Sequence, residues 1–280
     1  MIHNIRVMPA ASLYIVATPL GNLEDITLRA LRILSQADVV AAEDTRHSRC
    51  LLAHHGIECR LVALHEHNEE KQAARLVERL LAGESVALIS DAGTPLLSDP
   101  GYRLISLAID NGVPVVPVPG ASAVTAALSV AGLPTDRFAF EGFLPPKQGA
   151  RLRRLQALAA EQRSLVFFES SHRIAAFLAD LEAAFGGERR VAVCRELTKQ
   201  FETVLRGSVE AVRQTVESDG NQRKGEFVVV VHGRPEETGS GLDAALLLAR
   251  ELKESVGASQ AARIAARIHG VPRRDLYRLL

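Results

Sequence analysis

The sequence predicts an α/β protein, and three observations support that fold class. Short apolar runs alternate with amphipathic helical segments through the first half of the chain, a pattern typical of a parallel sheet covered by helices. Polar loops follow several of these apolar runs directly. After Leu133 the pattern changes, and a second set of strands and helices indicates a mixed sheet. We therefore expect two α/β domains.

In the first half, the predicted strands are short and apolar, and the predicted helices carry one apolar stripe. The clearest stripe consists of Ala73, Leu76, Val77, Leu80 and Leu81, which recur at helical spacing. Strands are predicted at 12–17, 38–42, 86–89 and 113–118. Helices are predicted at 27–35, 47–54, 69–82 and 102–111, and a fifth begins at the turn 119–122 and runs through 129.

In the second half, strands are predicted at 137–143, 165–168, 191–194, 201–205 and 227–231, and helices at 148–162, 172–185 and 209–216. The segment 233–241 is polar and rich in Pro and Gly, which indicates a linker. Three short helices follow at 242–256, 260–269 and 272–280, with helix-turn-helix spacing. The predicted domains are an N-terminal α/β domain (1–133), a second α/β domain (134–233) and a C-terminal helical domain (242–280).

The composition limits the class of protein. Lys plus Arg and Asp plus Glu both number 33, so a site for a polyanion must be a local patch. The three cysteines form no C-x-x-C pair, which favours a reducing compartment and no zinc cluster. No apolar run reaches the roughly 18 residues that cross a bilayer. We expect a cytoplasmic protein that does not enter the membrane.

Several polar loops stand at the ends of predicted strands, where an open α/β sheet binds its ligand. The longest, at 90–101, combines Asp91 and Asp99 with Gly, Pro and hydroxyl residues. A short strand-to-helix turn has the same residue types, but two residues would suffice for it. Neither G-x-G-x-x-G nor the P-loop motif is present, which argues against a conventional dinucleotide or nucleoside triphosphate site.

Six polar motifs lie in order at 19–25, 42–46, 90–101, 118–122, 142–147 and 169–173. Together they resemble the ribosomal RNA small-subunit methyltransferase I family of the tetrapyrrole-methylase superfamily. The resemblance covers the chain from Ser12 to its end. It implies two α/β domains of the tetrapyrrole-methylase type with the cofactor between them, S-adenosylmethionine as methyl donor, 2′-O-methylation of a cytidine ribose in 16S rRNA at the decoding centre of the small ribosomal subunit, and a homodimer.

The resemblance also implies which residues bind the cofactor. They come from loops of the first domain and from strands of the second: Leu20, Asp91, Thr94, Ala121, Ser122, Phe168, Cys194 and Glu226. A carboxylate such as Asp91 can accept hydrogen bonds from ribose hydroxyls, and the amides that open a helix at Ser122 can hold a carboxylate. For Asp99 the alternative is a cap of the helix that begins near Pro100.

Three carboxylates are candidates for the catalytic group. A ribose hydroxyl is a weak nucleophile, so its methylation benefits from a group that accepts its proton. Glu43 or Asp44 can have this role, and Glu169 is a rival. The alternative is structural: Asp44 or Thr45 caps the next helix while Glu43 pairs with Arg46. The sequence does not decide between these roles.

A cluster of basic residues is predicted to bind RNA phosphates. It comprises Arg46, Lys147, Arg151, Arg153, Arg154 and Arg173. A solvated helix face is the alternative interpretation. The arginine-rich C-terminal helices suggest a further nucleic-acid contact, or else a compact structural cap. No metal is expected, because the His65–His67 pair has no third ligand at matching spacing.

Two other functions compete with RNA methylation. One is a methylase of a tetrapyrrole or another small acceptor on the same fold. The other is a regulator without enzymatic activity, whose C-terminal helices bind DNA while the α/β domains sense a ligand. The basic segment favours RNA over a tetrapyrrole.

Overall fold

A computed structural model describes residues 11–235 and 240–280 and divides the chain into two compact units, Met1–His232 and Gly233–Leu280. The first unit contains two five-stranded sheets. The second consists of helices. Each unit has an apolar core of its own.

The first sheet is parallel throughout, with the strand order β3-β2-β4-β1-β5. Its strands are β1 (Leu13–Val16), β2 (Val39–Ala42), β3 (Leu61–Ala63), β4 (Val86–Ile89) and β5 (Val115–Val118). The central strands β2 and β4 are buried along their whole length, as expected for a sheet with helices on both faces. All carboxyl ends of the strands therefore lie at one edge.

Helices cover both faces of this sheet. They are α1 (Leu28–Gln36), α2 (Thr45–His54), α3 (Glu69–Leu81) and α4 (Tyr102–Asp110). Leu76, Leu80 and Leu104 share one core cluster with the sheet, whereas Ile33 and Leu52 belong to the cluster on the opposite face. The four strands predicted here are confirmed. The prediction missed β3, a three-residue edge strand that pairs only with β2 and is only partly buried.

The second sheet is mixed, with the order β6-β7-β10-β8-β9. Only β6 and β7 are parallel, and the other neighbours are antiparallel. Its strands are β6 (Phe138–Phe143), β7 (Ser164–Ser170), β8 (Arg190–Arg195), β9 (Thr203–Ser208) and β10 (Glu226–Val231). The helices between them are α6 (Gln148–Leu158), α7 (Ile174–Phe185) and α8 (Val209–Ser218). Helix α6 ends four residues before its predicted end at 162.

The two faces of the second sheet pack against different helices. Along β10, Phe227 and Val229 share a core cluster with α6, α7 and α8. Val228 and Val230, which point to the other face, share a cluster with α5 (Ala123–Ala131). Because α5 directly follows β5, the chain passes from the carboxyl edge of the first sheet onto the second sheet. This connection brings both sheets to one site.

The C-terminal unit contains α9 (Ser240–Val256), α10 (Ala258–His269) and α11 (Arg273–Leu279). Small residues such as Ala245, Ala262 and Ala265 and the fully buried Leu276 form its core. Gly270 ends α10 in the left-handed conformation (φ 66°), and its N–H donates to the Ala266 carbonyl. The three predicted helices are therefore confirmed.

The predicted linker at 233–241 includes residues 236–239, which lie outside the described residues. The domain boundaries at 133–134 and 233 stay predictions. No helix in the described part of the chain is both long and apolar enough to cross a membrane.

Candidate cofactor cleft and active site

A cleft of about 440 Å³ lies between the loops at the carboxyl edge of the first sheet and the strands β7, β8 and β10 of the second. This volume is within the range typical of small-ligand sites. All of the predicted cofactor residues except Ala121 are in its lining, namely Leu20, Asp91, Thr94, Ser122, Phe168, Cys194 and Glu226. The structure thus brings together residues that are up to about 200 positions apart in the chain.

The floor of the cleft is built where the loops after β1 and β4 meet. Thr18 and Gly93 exchange backbone hydrogen bonds of 2.9 and 3.0 Å, and the Thr18 hydroxyl donates to the Ser90 carbonyl at 3.0 Å. Gly93 has φ 83°, and a Cβ there would lie 3.0 Å from the Leu20 side chain. Glycine is therefore required for the close approach of the two loops.

The start of α5 provides backbone donors at the cleft wall. The Thr94 hydroxyl donates to the Ala121 carbonyl at 3.0 Å, which places Ala121 directly behind the lining. Ser122 is the N-cap of α5, but its side chain makes no capping hydrogen bond. Ser122 and Ala123 both line the cleft. The free amides of the first turn can therefore receive an anionic group such as a carboxylate.

An aromatic wall closes the opposite side. The Phe168 ring contacts Phe140 and Phe143 edge to face, with centroids 4.9 and 5.6 Å apart. Phe143 lines the cleft and is 53% exposed, so a ligand in the cleft can contact it. Burial raises the pKa of the Cys194 thiol to about 11, so Cys194 is a neutral wall residue and not a nucleophile.

Lys199 contacts both the second sheet and the loop that follows β1. Its Nζ donates at 2.9 Å to both Glu196 and Glu226. Burial opposes charge on Lys199, but the hydrogen bonds that it donates to Glu226 and Glu196 outweigh burial, and the pKa of Lys199 is raised. Its stem lies so close to Gly21 that any side chain there would collide with it. Glu226 therefore reaches the cleft already paired with a cation.

Of the three catalytic candidates, Asp44 has the structural role that the sequence left open. Its carboxylate accepts the Arg46 N–H at 2.8 Å and caps α2. The backbone and side-chain hydrogen bonds from Arg46 lower the pKa of Asp44. Asp44 is absent from the cleft lining, and its N–H donates to the Asp91 carboxylate at 3.1 Å. Asp44 therefore caps α2 and orients Asp91, and its role as a proton acceptor stays a prediction.

Glu43 and Glu169 both have a raised pKa, but they lie in different surroundings. Burial, followed by the charges of Asp91 and Glu66, raises the pKa of Glu43, which stands beside the cleft but not in its lining. Burial also raises the pKa of Glu169, which is in the lining. Arg173 lies 3.3 Å from one oxygen of Glu169. The other oxygen is buried without a hydrogen-bond partner among the described residues.

Asp99 does not cap α4, which corrects the alternative that the sequence left for it. The N-cap of that helix is Gly101, with φ 126°. The free N–H groups of Gly101 and Arg103 donate instead to Glu69 at 3.0 and 2.9 Å. Asp99 points elsewhere and lines the cleft.

Comparison with known proteins identifies the family. Residues 12–213 match the model of the Tetrapyrrole (Corrin/Porphyrin) Methylases, and 239–280 match the RsmI C-terminal HTH domain. A protein of Xylella fastidiosa named Ribosomal RNA small subunit methyltransferase I is 53% identical over 95% of this chain and 97% of its own. The protein of that name in Pseudomonas aeruginosa is 52% identical over 96% of both chains. The chain belongs to the ribosomal RNA small subunit methyltransferase I family.

This membership confirms the predicted fold class, the prediction of a methyltransferase and S-adenosylmethionine as its cofactor. Solved structures agree with the fold. Uroporphyrin-III-C-methyltransferase from Thermus thermophilus is 25% identical, with a TM-score of 0.57 over 79% of this chain and 94% of that one. Diphthine synthase, at 18% identity, has a TM-score of 0.61 over 96% of this chain and 99% of its own.

The cations predicted to bind RNA divide into two groups in this methyltransferase. Four are on the surface: Arg46 is 88% exposed, Lys147 and Arg153 are exposed, and Arg154 is half-exposed beside Glu141. Arg46 pairs with Asp44 across 3.4 Å, which leaves its guanidinium largely in solvent. Arg154 is bound to Glu141 by two hydrogen bonds, whereas no ion pair among the described residues involves Lys147 or Arg153.

The other two cations make hydrogen bonds and ion pairs within the protein. Arg151 is 4% exposed, and its guanidinium binds the buried Asp180 through two bonds of 2.7 Å. Arg173 donates at 2.7 Å to the Leu144 carbonyl and pairs with Glu169. Arg151 has no free surface for a phosphate contact, which corrects its predicted role, whereas Arg173 is 24% exposed and its contact with RNA stays a prediction. Both fix α6 and the loop before it.

Sequence reasoning missed Lys199 and Phe143 as residues of the cleft. Lys199 carries no motif, because its partners Glu196 and Glu226 become neighbours only when β8 and β10 pair. For Phe143 a signal existed. Gly142 (φ 61°) marks a register shift in β6, and such bulges turn the next side chain toward a site.

Gly225→Ala is predicted to destabilise this methyltransferase by several kcal/mol. Gly225 has φ 96°, and a Cβ there would lie 2.5 Å from the Glu196 side chain, which Lys199 and the Glu226 N–H hold in place. Gly83→Ala is the matched control, because Gly83 has φ 98° but no neighbour within 4 Å. The control should cost only about 1–2 kcal/mol of backbone strain in urea unfolding. Equal losses would contradict the packing assigned to Glu196.

Proposed function

We propose that the chain transfers the methyl group of S-adenosylmethionine to the 2′-hydroxyl of a cytidine ribose in 16S rRNA, at the decoding centre of the small ribosomal subunit. It acts as a homodimer in the cytoplasm. The observation that carries the proposal is the single cleft that unites the loops of the first sheet with Phe168, Cys194 and Glu226 of the second. The matched relatives, named for small-subunit ribosomal RNA, support the substrate.

The residues of the cleft fit the methyl donor. Asp91 offers acceptors for ribose hydroxyls or an ammonium group, and the uncapped start of α5 at Ser122 offers donors for a carboxylate. Leu20 and Phe168 supply apolar walls for an adenine ring. When bound, S-adenosylmethionine supplies an electrophilic methyl group attached to a sulfonium.

The protein's own contribution is to position the acceptor and receive its proton. Holding a ribose hydroxyl in line with the donor accounts for much of the rate of such a transfer, because the reactants no longer have to find each other in solution. A carboxylate in the cleft then accepts the proton that the hydroxyl loses. Glu169 lines the cleft and Glu43 stands beside it, so both remain candidates.

The acceptor side of the cleft suits a nucleotide. Phe143 offers an exposed aromatic ring, and RNA-modifying sites commonly stack an unpaired base on such a ring. Lys147 is the N-cap of α6, four residues after Phe143, and Arg153 lies within that helix. On a protein with a formal net charge of zero, two exposed cations this close in the chain support the local basic patch that the sequence predicts.

The double variant Lys147→Ala/Arg153→Ala is predicted to bind 16S rRNA more weakly at moderate salt. Its slope of log affinity against log salt should be smaller by about two, because two phosphate contacts are lost. Lys71→Ala/Arg75→Ala is the matched control, because both of its cations are exposed on α3. Cofactor binding should be unchanged in both variants. If both double variants show the same salt slope, the surface formed by Lys147 and Arg153 does not bind RNA.

Methylation of a tetrapyrrole is the competing function, because the fold is shared with uroporphyrin methylases. Methyl-labelled S-adenosylmethionine distinguishes the two. The protein is given purified small subunits, free 16S rRNA or a reduced uroporphyrin in parallel. We expect label in the rRNA of the subunits and none in the porphyrin. Label in the porphyrin alone would overturn the proposal.

A further inference from the structure

The loop between β4 and α4 holds Asp99 in an unusual backbone conformation. Leu96 and Ser98 both have positive φ values, 77° and 75°, which side chains other than glycine rarely adopt. Such strain persists where the surrounding structure enforces it, and it concentrates at functional sites. Here it turns Asp99 away from the start of α4 and into the lining of the cleft.

The same loop contacts strand β6, which carries Phe143 to the side of the cleft proposed to bind the RNA nucleotide. A Cβ at Gly142 would lie 3.2 Å from the Ser98 hydroxyl, so the bulge of β6 packs directly against the residue before Asp99. The next residue of β6 is Phe143, whose ring is open to the cleft. Asp99 and the ring suited to a nucleotide base are thus carried by two elements in contact with each other.

Among the described residues, no cation forms an ion pair with Asp99. The charged groups that act on it are Glu43, at the end of β2, and Asp91, at the end of β4. The Ser90 hydroxyl lies nearby and acts against the raised pKa of Asp99, while it donates to the Gly93 carbonyl at 3.0 Å. On β6 the charged side chain is Glu141, which Arg154 holds at 2.7 Å. Asp91 receives the Asp44 N–H, and Glu169 lies against Arg173, whereas Asp99 is free to receive a proton.

We propose that Asp99 is the catalytic residue that accepts the proton of the ribose 2′-hydroxyl. This inference rests on the proposed function and assigns the group that the sequence left undecided. The oxygen–hydrogen bond of the hydroxyl breaks, and its proton passes to the Asp99 carboxylate. The oxygen forms a bond to the methyl carbon while the carbon–sulfur bond breaks, and that electron pair stays on sulfur as a neutral thioether.

The electrostatics of the loop suit this role. Burial, followed by the charges of Glu43 and Asp91, raises the pKa of Asp99 to about 7, while the Ser90 hydroxyl opposes the shift. A proton acceptor works best when its pKa is close to the working pH. Below pH 7 Asp99 is protonated and cannot accept, so the transfer rate should rise with pH and level off above about 7.

The transfer rate should rise with pH, but the contribution of Asp99 to stability should fall. Because the ordinary pKa is 3.8, the folded protein binds more protons at Asp99 than the unfolded chain between about pH 4 and pH 7. The contribution of Asp99 to stability therefore falls as pH rises through this window. Asp99→Asn removes the charge and should leave the protein at least as stable as the wild type at pH 8.

The test is single-turnover methyl transfer to purified small subunits, measured from pH 5.5 to 9 for the wild type, Asp99→Asn and Glu43→Gln. Asp99→Asn should slow transfer by about 100-fold or more and remove the inflection near pH 7. It should also keep the thermal stabilisation by S-adenosylmethionine. In Glu43→Gln the inflection should move to lower pH, because one of the charges that raise the pKa of Asp99 is gone.

Each outcome decides between the proposals. If the wild type methylates rRNA and Asp99→Asn does so at an equal rate, Asp99 is not the acceptor although the proposed function stands. If Glu43→Gln loses the inflection while Asp99→Asn retains it, the acceptor is Glu43. If Asp99→Asn loses both its fold stability at pH 8 and cofactor binding, its role is structural. If the wild type places no methyl group on rRNA, the proposed function itself fails.

Discussion

Asp91→Ala is expected to abolish the thermal stabilisation that S-adenosylmethionine gives the wild-type protein. At a ligand concentration 100 times Kd, binding stabilises a protein by about 2.7 kcal/mol, which for this size is roughly 5–10 °C in Tm. Asp91 lines the cleft, and its carboxylate already accepts the Asp44 N–H. Its removal deletes the acceptor for the donor's polar groups and also frees the loop after β2.

Two further variants separate these effects. Asp91→Asn keeps an oxygen for the Asp44 N–H but removes the charge, so it should keep the fold and bind the donor more weakly. Asp110→Ala is the matched control, because Asp110 is exposed at the end of α4. It should retain the full stabilisation. An undiminished thermal shift in Asp91→Ala would show that the donor does not bind at this loop.

Asp180→Ala is expected to destabilise the protein by about 3–5 kcal/mol, because it leaves the Arg151 guanidinium buried and unpaired. Both side chains are almost completely buried, at 4% and 5% exposure, and Gln148 also donates to Asp180. For a protein of this size the loss corresponds to roughly 10 °C in Tm.

The fold requires that Arg151 and Asp180 leave no unpaired buried charge, but it does not require the ion pair itself. The double variant Arg151→Met/Asp180→Leu should recover most of the stability, because two apolar side chains leave no unpaired charge. Glu141→Ala is the control, since it breaks the pair between Glu141 of β6 and Arg154 of α6, the helix that carries Arg151, and Arg154 is half-exposed. It should cost at most about 1 kcal/mol. Equal losses from both single variants in urea unfolding would contradict the buried role of Arg151.

Hydrophobic periodicity was sufficient to predict most of the fold. The runs at 39–42 and 86–89 are wholly buried strands, and four of the five residues in the predicted stripe of α3 are buried. The fifth, Leu81, lies at the end of the helix and is exposed. The edge strand β3 was missed because three half-buried residues carry no periodic signal. The role of Arg151 could have been read from the sequence, since Arg151, Leu155 and Leu158 share one face of α6.

The cleft was predictable as a set of loops but not as a set of roles. Asp44 and Asp99 both precede a helix, and both fit a cap equally well in sequence. Only the structure shows that Asp44 caps α2. It also shows that the N–H groups at the start of α4 donate to Glu69, thirty-two positions from Gly101. Long-range partners of this kind depend on which helices pack together, and no local pattern contains that information.

The most direct test of the proposed activity is the chemical position of the transferred methyl group. Small subunits labelled by the wild-type protein with methyl-labelled S-adenosylmethionine are extracted, and their 16S rRNA is hydrolysed in alkali. A 2′-O-methyl group blocks cleavage of the adjacent phosphodiester, so we predict that the label remains in one alkali-resistant dinucleotide beginning with cytidine. Label recovered as single nucleotides methylated on the base, or in ribosomal protein, would contradict ribose methylation.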